Sequence, residues 1–149
     1  MRNEGIDFIG VAVVFLCHDG KGNFLFAKRG KKCRDENGRW NMGSGALEFG
    51  ERAVSRLKKE VQEEYNSPVL SHTALGWREL HRVHNHRKTH WMGLDFLVRV
   101  DRRKVKNNEP HKLDEVQWFR LNALPRPMHS QWRDFIKLRK EKINEICKL

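Results

Sequence analysis

The chain has 149 residues, of which 38% are hydrophobic and 33% are charged, and its formal net charge is +11 at pH 7. The length predicts one domain over residues 1–149, and five Trp and eight Phe exclude a disordered polyelectrolyte because that aromatic surface needs burial. No apolar run reaches the roughly 20 residues that span a bilayer, and three scattered cysteines exclude a disulfide scaffold, so a cytoplasmic location is expected.

The positive charge makes nucleic acid a candidate partner, because Lys and Arg side chains attract phosphate groups. The basic residues fall into separate clusters, however, and no aromatic–basic RNA-binding pattern accompanies them. A solvated basic surface is therefore favoured over a nucleic-acid interface, and no membrane partner is expected. The sequence leaves open whether the chain is a monomer or a homodimer.

The chain begins with a predicted pair of strands. Residues 8–17, "FIGVAVVFLC", are a continuous β-branched apolar run, which predicts a strand buried on both faces. The segment "HDGKGN" has turn chemistry, and residues 24–29 complete a hairpin. Residues 30–41 are polar and contain two glycines, so they are predicted to form a surface loop.

A helix is predicted over residues 51–65. Asn66 readily takes the left-handed conformation that closes a helix, and Pro68 prevents the helix from continuing. Residues 69–83 and 89–101 are two β-like runs joined by the turn "HNHRK". A mixed sheet with helices packed on its two faces accommodates this order, and the consecutive hairpins exclude a purely parallel sheet.

The C-terminal part adds a short strand and a helix. Residues 115–121, "EVQWFRL", are predicted to be the last strand, and Ser130 is predicted to cap a final helix. Strands thus flank one early helix and precede one late helix. The predicted fold class is α/β (α+β), an α/β/α sandwich with a mixed central sheet.

Three carboxylates gather on one side of the first predicted helix. At about 100° per residue, Glu60, Glu63 and Glu64 occupy an arc next to the apolar face. Buried carboxylates without partners are costly, and hard cations such as Mg²⁺ or Mn²⁺ would neutralise them. The alternative is a solvated face, since Arg56–Glu60 and Lys59–Glu63 have the spacing of ordinary helical ion pairs.

The context of these glutamates favours the metal interpretation. Gly45, five residues, Glu51, seven residues and then residues 59–64, "KEVQEE", resemble the Nudix hydrolase box. The match includes all four glutamates of the box, its leading glycine and its aliphatic position. The flanking sequence is also similar, so that the resemblance extends over roughly residues 6–125.

The chain departs from the family box at three positions. Asn66 replaces a glycine, and this is a mild change because asparagine also adopts the left-handed conformation. Ser67 replaces an aliphatic residue and is expected only to loosen local packing. Lys59 replaces an arginine, so it keeps the charge but loses the planar fork that would orient a neighbouring glutamate.

The resemblance implies a site for Mg²⁺ or Mn²⁺. Four residues would supply its ligands, the first through its carbonyl oxygen: Gly45, Glu60, Glu63 and Glu64. Glu60 or Glu63 is the candidate general base, and Lys59 is grouped with them as catalytic because of its place in the box. Glu51 is expected to hold the ligand loop in shape.

The resemblance also suggests residues that bind the substrate. Arg29 either reaches the phosphates or is an ordinary surface arginine. Trp40 either stacks on a base or forms a wall of the loop. Asp114 and Glu115, just before the last strand, either recognise a base or provide the general base.

The function implied by the resemblance is metal-dependent hydrolysis of a phosphoanhydride bond in a nucleoside diphosphate derivative. A nucleoside triphosphate is the preferred substrate, with a nucleoside monophosphate and pyrophosphate as products. The alternatives are a nucleotide sugar or ADP-ribose as the substrate, or an RNA 5′ end bound through the basic surface.

Overall fold

The computed structural model describes residues 1–149 and contains seven strands and two helices. The strands are β1 (Gly10–His18), β2 (Asn23–Arg29), β3 (Trp40–Asn41), β4 (Gly43–Ala46), β5 (Val69–His84), β6 (Arg87–Val100) and β7 (Leu113–Arg120). The helices are α1 (Ala53–Tyr65) and α2 (Ser130–Cys147). None of the helices has the length and apolar character needed to span a bilayer.

The strands form one mixed sheet, as predicted. Its main order is β3-β2-β1-β6-β5, with β4 paired to β1 and β7 paired to β2. The central pair of β1 and β6 is parallel, whereas β1 pairs with β2 and β4 in antiparallel fashion. The helices lie on opposite faces of this sheet, which confirms the sandwich of helix, sheet and helix.

The central strand β1 is buried on both faces because its apolar run does not alternate with polar residues. Val13, Phe15 and Cys17 pack in the core on the α1 side. Val14 and Leu16 point to the opposite face and pack in the core beneath α2. Residues 13–17 therefore specify the centre of both hydrophobic layers, whereas Phe8 and Ile9, at the start of the predicted strand, precede β1 and are exposed.

Helix α1 packs through residues spaced four apart: Leu57, Val61 and Tyr65 are all buried. It ends at Asn66, which has φ 59° and donates its backbone N–H to the Gln62 carbonyl at 3.0 Å. The predicted left-handed conformation at Asn66 is confirmed. A helix that ends in this way needs a residue that tolerates positive φ, and asparagine is one.

The start of α2 differs from the prediction. The N-cap is His129, whose Nδ1 accepts a hydrogen bond from the Gln131 backbone N–H at 3.2 Å. Ser130 is instead the first helical residue, and its hydroxyl donates to Glu36 at 3.0 Å. The prediction that Ser130 is the N-cap was wrong because a local pattern cannot show that Glu36, in a distant loop, binds the serine hydroxyl.

A buried ion triad joins the sheet to α2. The Asp95 carboxylate on β6 accepts hydrogen bonds from Arg78 at 2.6 and 2.9 Å and from Arg139 at 3.1 Å. The side chain of Asp95 is fully buried, and those of the two arginines are 10% and 14% exposed. Each buried charge therefore has a partner, as burial requires.

Candidate active site

Glu60 projects from α1 onto the backbone of β4. A Cβ atom on Gly45 would collide with the Glu60 carboxyl group, so glycine is what lets this side chain lie against the strand. Burial raises the pKa of Glu60 above its ordinary value; the charges of Glu63 and Glu109 act in the same direction, and the Arg56 guanidinium opposes them. The carboxyl group is thus held in a partly dry, electronegative environment.

Glu64 lies one helical turn further along α1, and its carboxyl group is enclosed by protein. Its Oε2 atom is buried and has no hydrogen-bond partner. Burial raises the pKa of Glu64 well above its ordinary value, and the nearby charges of Glu60 and Glu109 raise it further. A buried carboxylate oxygen without a partner is costly unless a proton or a cation satisfies it.

Glu63 is exposed to solvent at the edge of this group. Its charge adds to burial in raising the pKa of Glu60. The structure places the Glu60 carboxyl group against Gly45 and the Glu64 Oε2 atom against Gly43, so these two predicted metal-binding side chains lie along β4.

A fourth carboxylate, Glu109, belongs to the same acidic group as Glu60, Glu63 and Glu64. The sequence patterns did not predict it. It precedes β7 and lines the same cavity as Glu64. Two backbone contacts hold its loop: the Asn108 N–H donates to the Glu64 carbonyl at 3.1 Å, and the Glu109 N–H donates to the Asn107 side chain at 3.0 Å. The run "NNEP" is a turn signal that would have indicated a fixed acidic residue here.

The acidic pair predicted for this role lies elsewhere. Asp114 is exposed, and its carboxylate lies beside Gly30. Glu115 accepts a hydrogen bond from the Gln117 side chain at 2.7 Å, and neither acid lines the cavity beside Glu64. β7 pairs with β2 and begins at Leu113, so both acids follow the start of the strand, and their roles in base recognition or as the general base stay predictions.

Lys59, predicted to be catalytic, points away from the acidic group. Its side chain is 61% exposed and contacts only Glu51, at 3.4 Å. The predicted pair with Glu63 is absent, whereas Arg56 does pair with Glu60, at 3.0 Å. Glu51 is bound mainly by Arg56, which lowers its pKa to about 2 and fits the predicted structural role.

A cleft of two neighbouring cavities opens beside Glu64. The first has a volume of about 330 Å³, and its charged walls include Asp35, Glu64, Glu109, Arg29, Arg34, Arg82 and Lys112. The second has a volume of about 200 Å³ and adds apolar walls from Val14, Leu80 and Trp91. The two cavities share Arg34, Ser44, Arg82, Gln131 and Trp132 in their linings.

Two predicted substrate-binding residues are engaged within the protein. Arg29 lines the larger part of the cleft, but its guanidinium donates to the side chain and the carbonyl of Asp35, both at 2.9 Å. Trp40 is only 7% exposed and packs edge-on against Phe119 at 5.2 Å. Its ring is part of the core, which favours the alternative that Trp40 forms a wall of the loop.

The whole architecture corresponds to one protein family. The NUDIX domain matches residues 8–138 of the chain. The chain belongs to the Nudix family. The fold and the enzyme class predicted from the box, a Nudix pyrophosphohydrolase, are thereby confirmed. No curated protein matches the chain.

Solved structures of Nudix proteins share this fold. A MutT Nudix hydrolase from Burkholderia pseudomallei superposes with a TM-score of 0.74 at 22% identity, covering 87% of this chain and 97% of that one. A MutT protein from Methanosarcina mazei Go1 has a TM-score of 0.74 at 20% identity, with coverage of 90% and 94%. A MutT structure from work on Aliivibrio salmonicida and Vibrio cholerae has a TM-score of 0.57 at 17% identity, with coverage of 77% and 82%.

A second group of acids in this Nudix domain does not have the chemistry of a metal site. The ligand atoms of Asp35, Glu36 and His129 all lie within 4.8 Å of one another. Arg82 binds both carboxylates at 2.7 Å, and His129 Nε2 lies 2.8 Å from Glu36. Since His129 Nδ1 accepts the helix cap bond, its Nε2 carries the proton and donates to Glu36, which leaves no nitrogen lone pair for a metal.

The largest cavity of the Nudix domain, about 810 Å³, lies beside α2 and away from the box. No carboxylate lines it, and its cations are Arg39, Arg126, Arg133 and Lys140. Mg²⁺ and Mn²⁺ prefer oxygen ligands, so the smaller cleft beside Glu64, which has carboxylates in its lining, is the candidate active site.

Proposed function

We propose that this Nudix protein hydrolyses a phosphoanhydride bond of a nucleoside triphosphate, releasing a nucleoside monophosphate and pyrophosphate. The supporting observation is the buried, unpartnered Oε2 atom of Glu64 at the end of a cleft with basic walls. A carboxylate in that position fits a divalent cation, and the adjoining cations fit the phosphates that such a cation would accompany.

The acidic group suits Mg²⁺ or Mn²⁺ because its donors are all oxygen atoms. Glu60, Glu63 and Glu64 would hold the ion together with the Gly45 carbonyl, and Glu109, which lines the same cavity as Glu64, would add its negative charge. A bound divalent ion would neutralise the charge that develops on the phosphate oxygens. It would also remove the like-charge repulsion that now raises the pKa of Glu60 and Glu64.

Proton transfer from the attacking water falls to one of these carboxylates. Glu60 is a candidate because its raised pKa brings it nearer to neutral pH, where a general base works best. Glu63 is the alternative from the box, and Glu109 replaces Asp114 and Glu115 as the later acid. Water adds to a phosphorus atom of the substrate, and the bridging P–O bond breaks to release pyrophosphate.

The basic side of the cleft would orient the phosphates. Arg34 and Lys112 are exposed, line the larger cavity and form no ion pair within the protein. Their charges are therefore available to a polyphosphate, unlike that of Arg29. The smaller cavity has the apolar wall that a base requires.

The test is a substrate panel of nucleoside triphosphates, nucleotide sugars, ADP-ribose and 5′-triphosphorylated RNA. Products are separated by anion-exchange chromatography, with Mg²⁺ and with EDTA. We expect triphosphates to yield monophosphate and pyrophosphate only when Mg²⁺ is present. Turnover confined to nucleotide sugars, or turnover of RNA with a steep salt dependence, would replace the proposed substrate.

A substitution separates the two candidate positions for the later acid. Glu109→Gln is expected to lower kcat by about 10- to 100-fold, because it removes one charge from the acidic group while preserving its shape. Asp114→Asn is the matched control and should stay within about twofold of wild type, since Asp114 lies outside the cleft. A large loss in the control with little effect at position 109 would reverse the assignment.

A further inference from the structure

Arg56 is the most highly connected side chain next to the acidic group. Its Nε donates to Glu51 at 2.7 Å, its Nη1 donates to Glu60 at 3.0 Å, and its Nη2 lies 3.4 Å from Glu48. The arginine side chain is only 11% exposed. Each of its three nitrogens thus faces a different carboxylate, so the guanidinium ties the turn before α1 to a proposed metal ligand on the helix.

Lys59, by contrast, occupies the box position at which the family has an arginine. Its ammonium contacts Glu51 at 3.4 Å and makes no contact with Glu60. A flexible ammonium is a point charge and cannot hold two carboxylates in a fixed relation, whereas a planar guanidinium can. Lys59 therefore does not orient Glu60 as an arginine at position 59 is expected to do.

We infer that Arg56 is the positioning residue of this site and performs the orienting role that Lys59 cannot perform. The inference rests on the proposed metal-binding role of Glu60. Arg56 bonds only the Oε1 atom of Glu60, and Oε2 accepts no hydrogen bond from the protein. Since the same carboxyl group is pressed against Gly45, both contacts fix its rotamer and leave one oxygen for a ligand.

The contact with Glu51 makes this arrangement rigid. Glu51 Oε1 accepts from Arg56 Nε and also from the Glu48 backbone N–H at 3.2 Å. One chain of hydrogen bonds thereby runs from Glu48 and Glu51, in the connection between β4 and α1, through Arg56 to Glu60. A ligand held through such supporting contacts typically binds its metal 10- to 100-fold more tightly than an unsupported one.

The experiment measures Mn²⁺ affinity by titration calorimetry or by the free Mn²⁺ signal in electron paramagnetic resonance, without nucleotide. Arg56→Ala and Arg56→Lys are expected to weaken Mn²⁺ binding by about 10- to 100-fold. Lysine at position 56 should fail because it keeps the charge but not the fork. Arg52→Ala, an exposed arginine at the start of the same helix, is the matched control and should stay within about twofold.

A rescue variant distinguishes positioning from general support of the helix. In the double variant R56A/K59R, an arginine returns one turn along the helix and should restore at least part of the Mn²⁺ affinity. A merely structural role predicts lower thermal stability in R56A with unchanged Mn²⁺ affinity, and that result would overturn the inference. Arg56→Lys provides the same comparison if the alanine variant does not fold.

The outcomes also separate this inference from the proposed function. Wild-type protein that binds Mn²⁺ in an Arg56-dependent way but hydrolyses no triphosphate would support the positioning role and refute the substrate. Mn²⁺ affinity that falls in Lys59→Ala but not in the Arg56 variants would refute the positioning role and leave the substrate unaffected.

Discussion

Glu64→Gln is expected to lower kcat by about 100- to 1,000-fold while making the metal-free protein more stable at neutral pH. The two effects have one cause. Glu64→Gln removes a proposed metal ligand, which lowers kcat. It also removes the free-energy cost of ionising a buried carboxyl group whose Oε2 atom has no hydrogen-bond partner. The side chain keeps its volume, which limits any change in packing.

The sign of the pH dependence follows from the raised pKa of Glu64, whose ordinary value is 4.5. Above that pH the unfolded chain releases the proton before the folded chain does. The stabilising contribution is therefore complete below 4.5 and is lost as the pH rises through the folded-state pKa. In EDTA, the wild-type melting temperature should fall more steeply with pH than that of Glu64→Gln.

The measurements are kcat with Mg²⁺ and melting temperatures between pH 5 and pH 8 in EDTA, with and without added Mg²⁺. Glu141→Gln, an exposed glutamate on α2 without an ion pair, is the control and should change neither quantity. Turnover of Glu64→Gln within tenfold of wild type, together with an unaltered pH dependence, would show that Glu64 is neither a ligand nor an ionised buried group.

Asp95→Ala is expected to reduce the free energy of unfolding by about 3–5 kcal/mol, because removing one partner strands the buried charges of the others. Asp95 is the only acid bonded to Arg78 and Arg139, whose side chains are 10% and 14% exposed. Its loss leaves two nearly buried guanidinium groups without a counter-ion. Urea unfolding monitored by circular dichroism would measure the change at constant pH.

A surface pair provides the control for this prediction. Asp101 pairs at 3.1 Å with Arg103, whose side chain is 89% exposed. Asp101→Ala should therefore leave the urea midpoint close to that of the wild type, since solvent screens such a pair. If Asp95→Ala proved equally mild, the triad would not stabilise the junction of the sheet and α2.

The triad also shows a limit of local patterns. Arg139 lies one turn from both Phe135 and Ile143, on the side of α2 that packs on the sheet. In the structure its guanidinium reaches Asp95, 44 residues earlier in the chain, and the Trp77 carbonyl at 3.3 Å. Nothing within one turn of Arg139 indicates that partner, because the pairing arises only when α2 docks on β5 and β6.

The sequence by itself determined the family and the position of the three glutamates on α1, because these depend on spacings within one helix and its leading turn. It also indicated the mixed sheet, because the order of strands and helices can be read along the chain. The same holds for the left-handed end at Asn66, where asparagine tolerates the positive φ. The tertiary structure alone decided that Glu109 lines the cavity beside Glu64 and that Trp40 belongs to the core. These contacts depend on how distant segments pack and on which side-chain direction that packing allows, and neither is encoded in a local pattern.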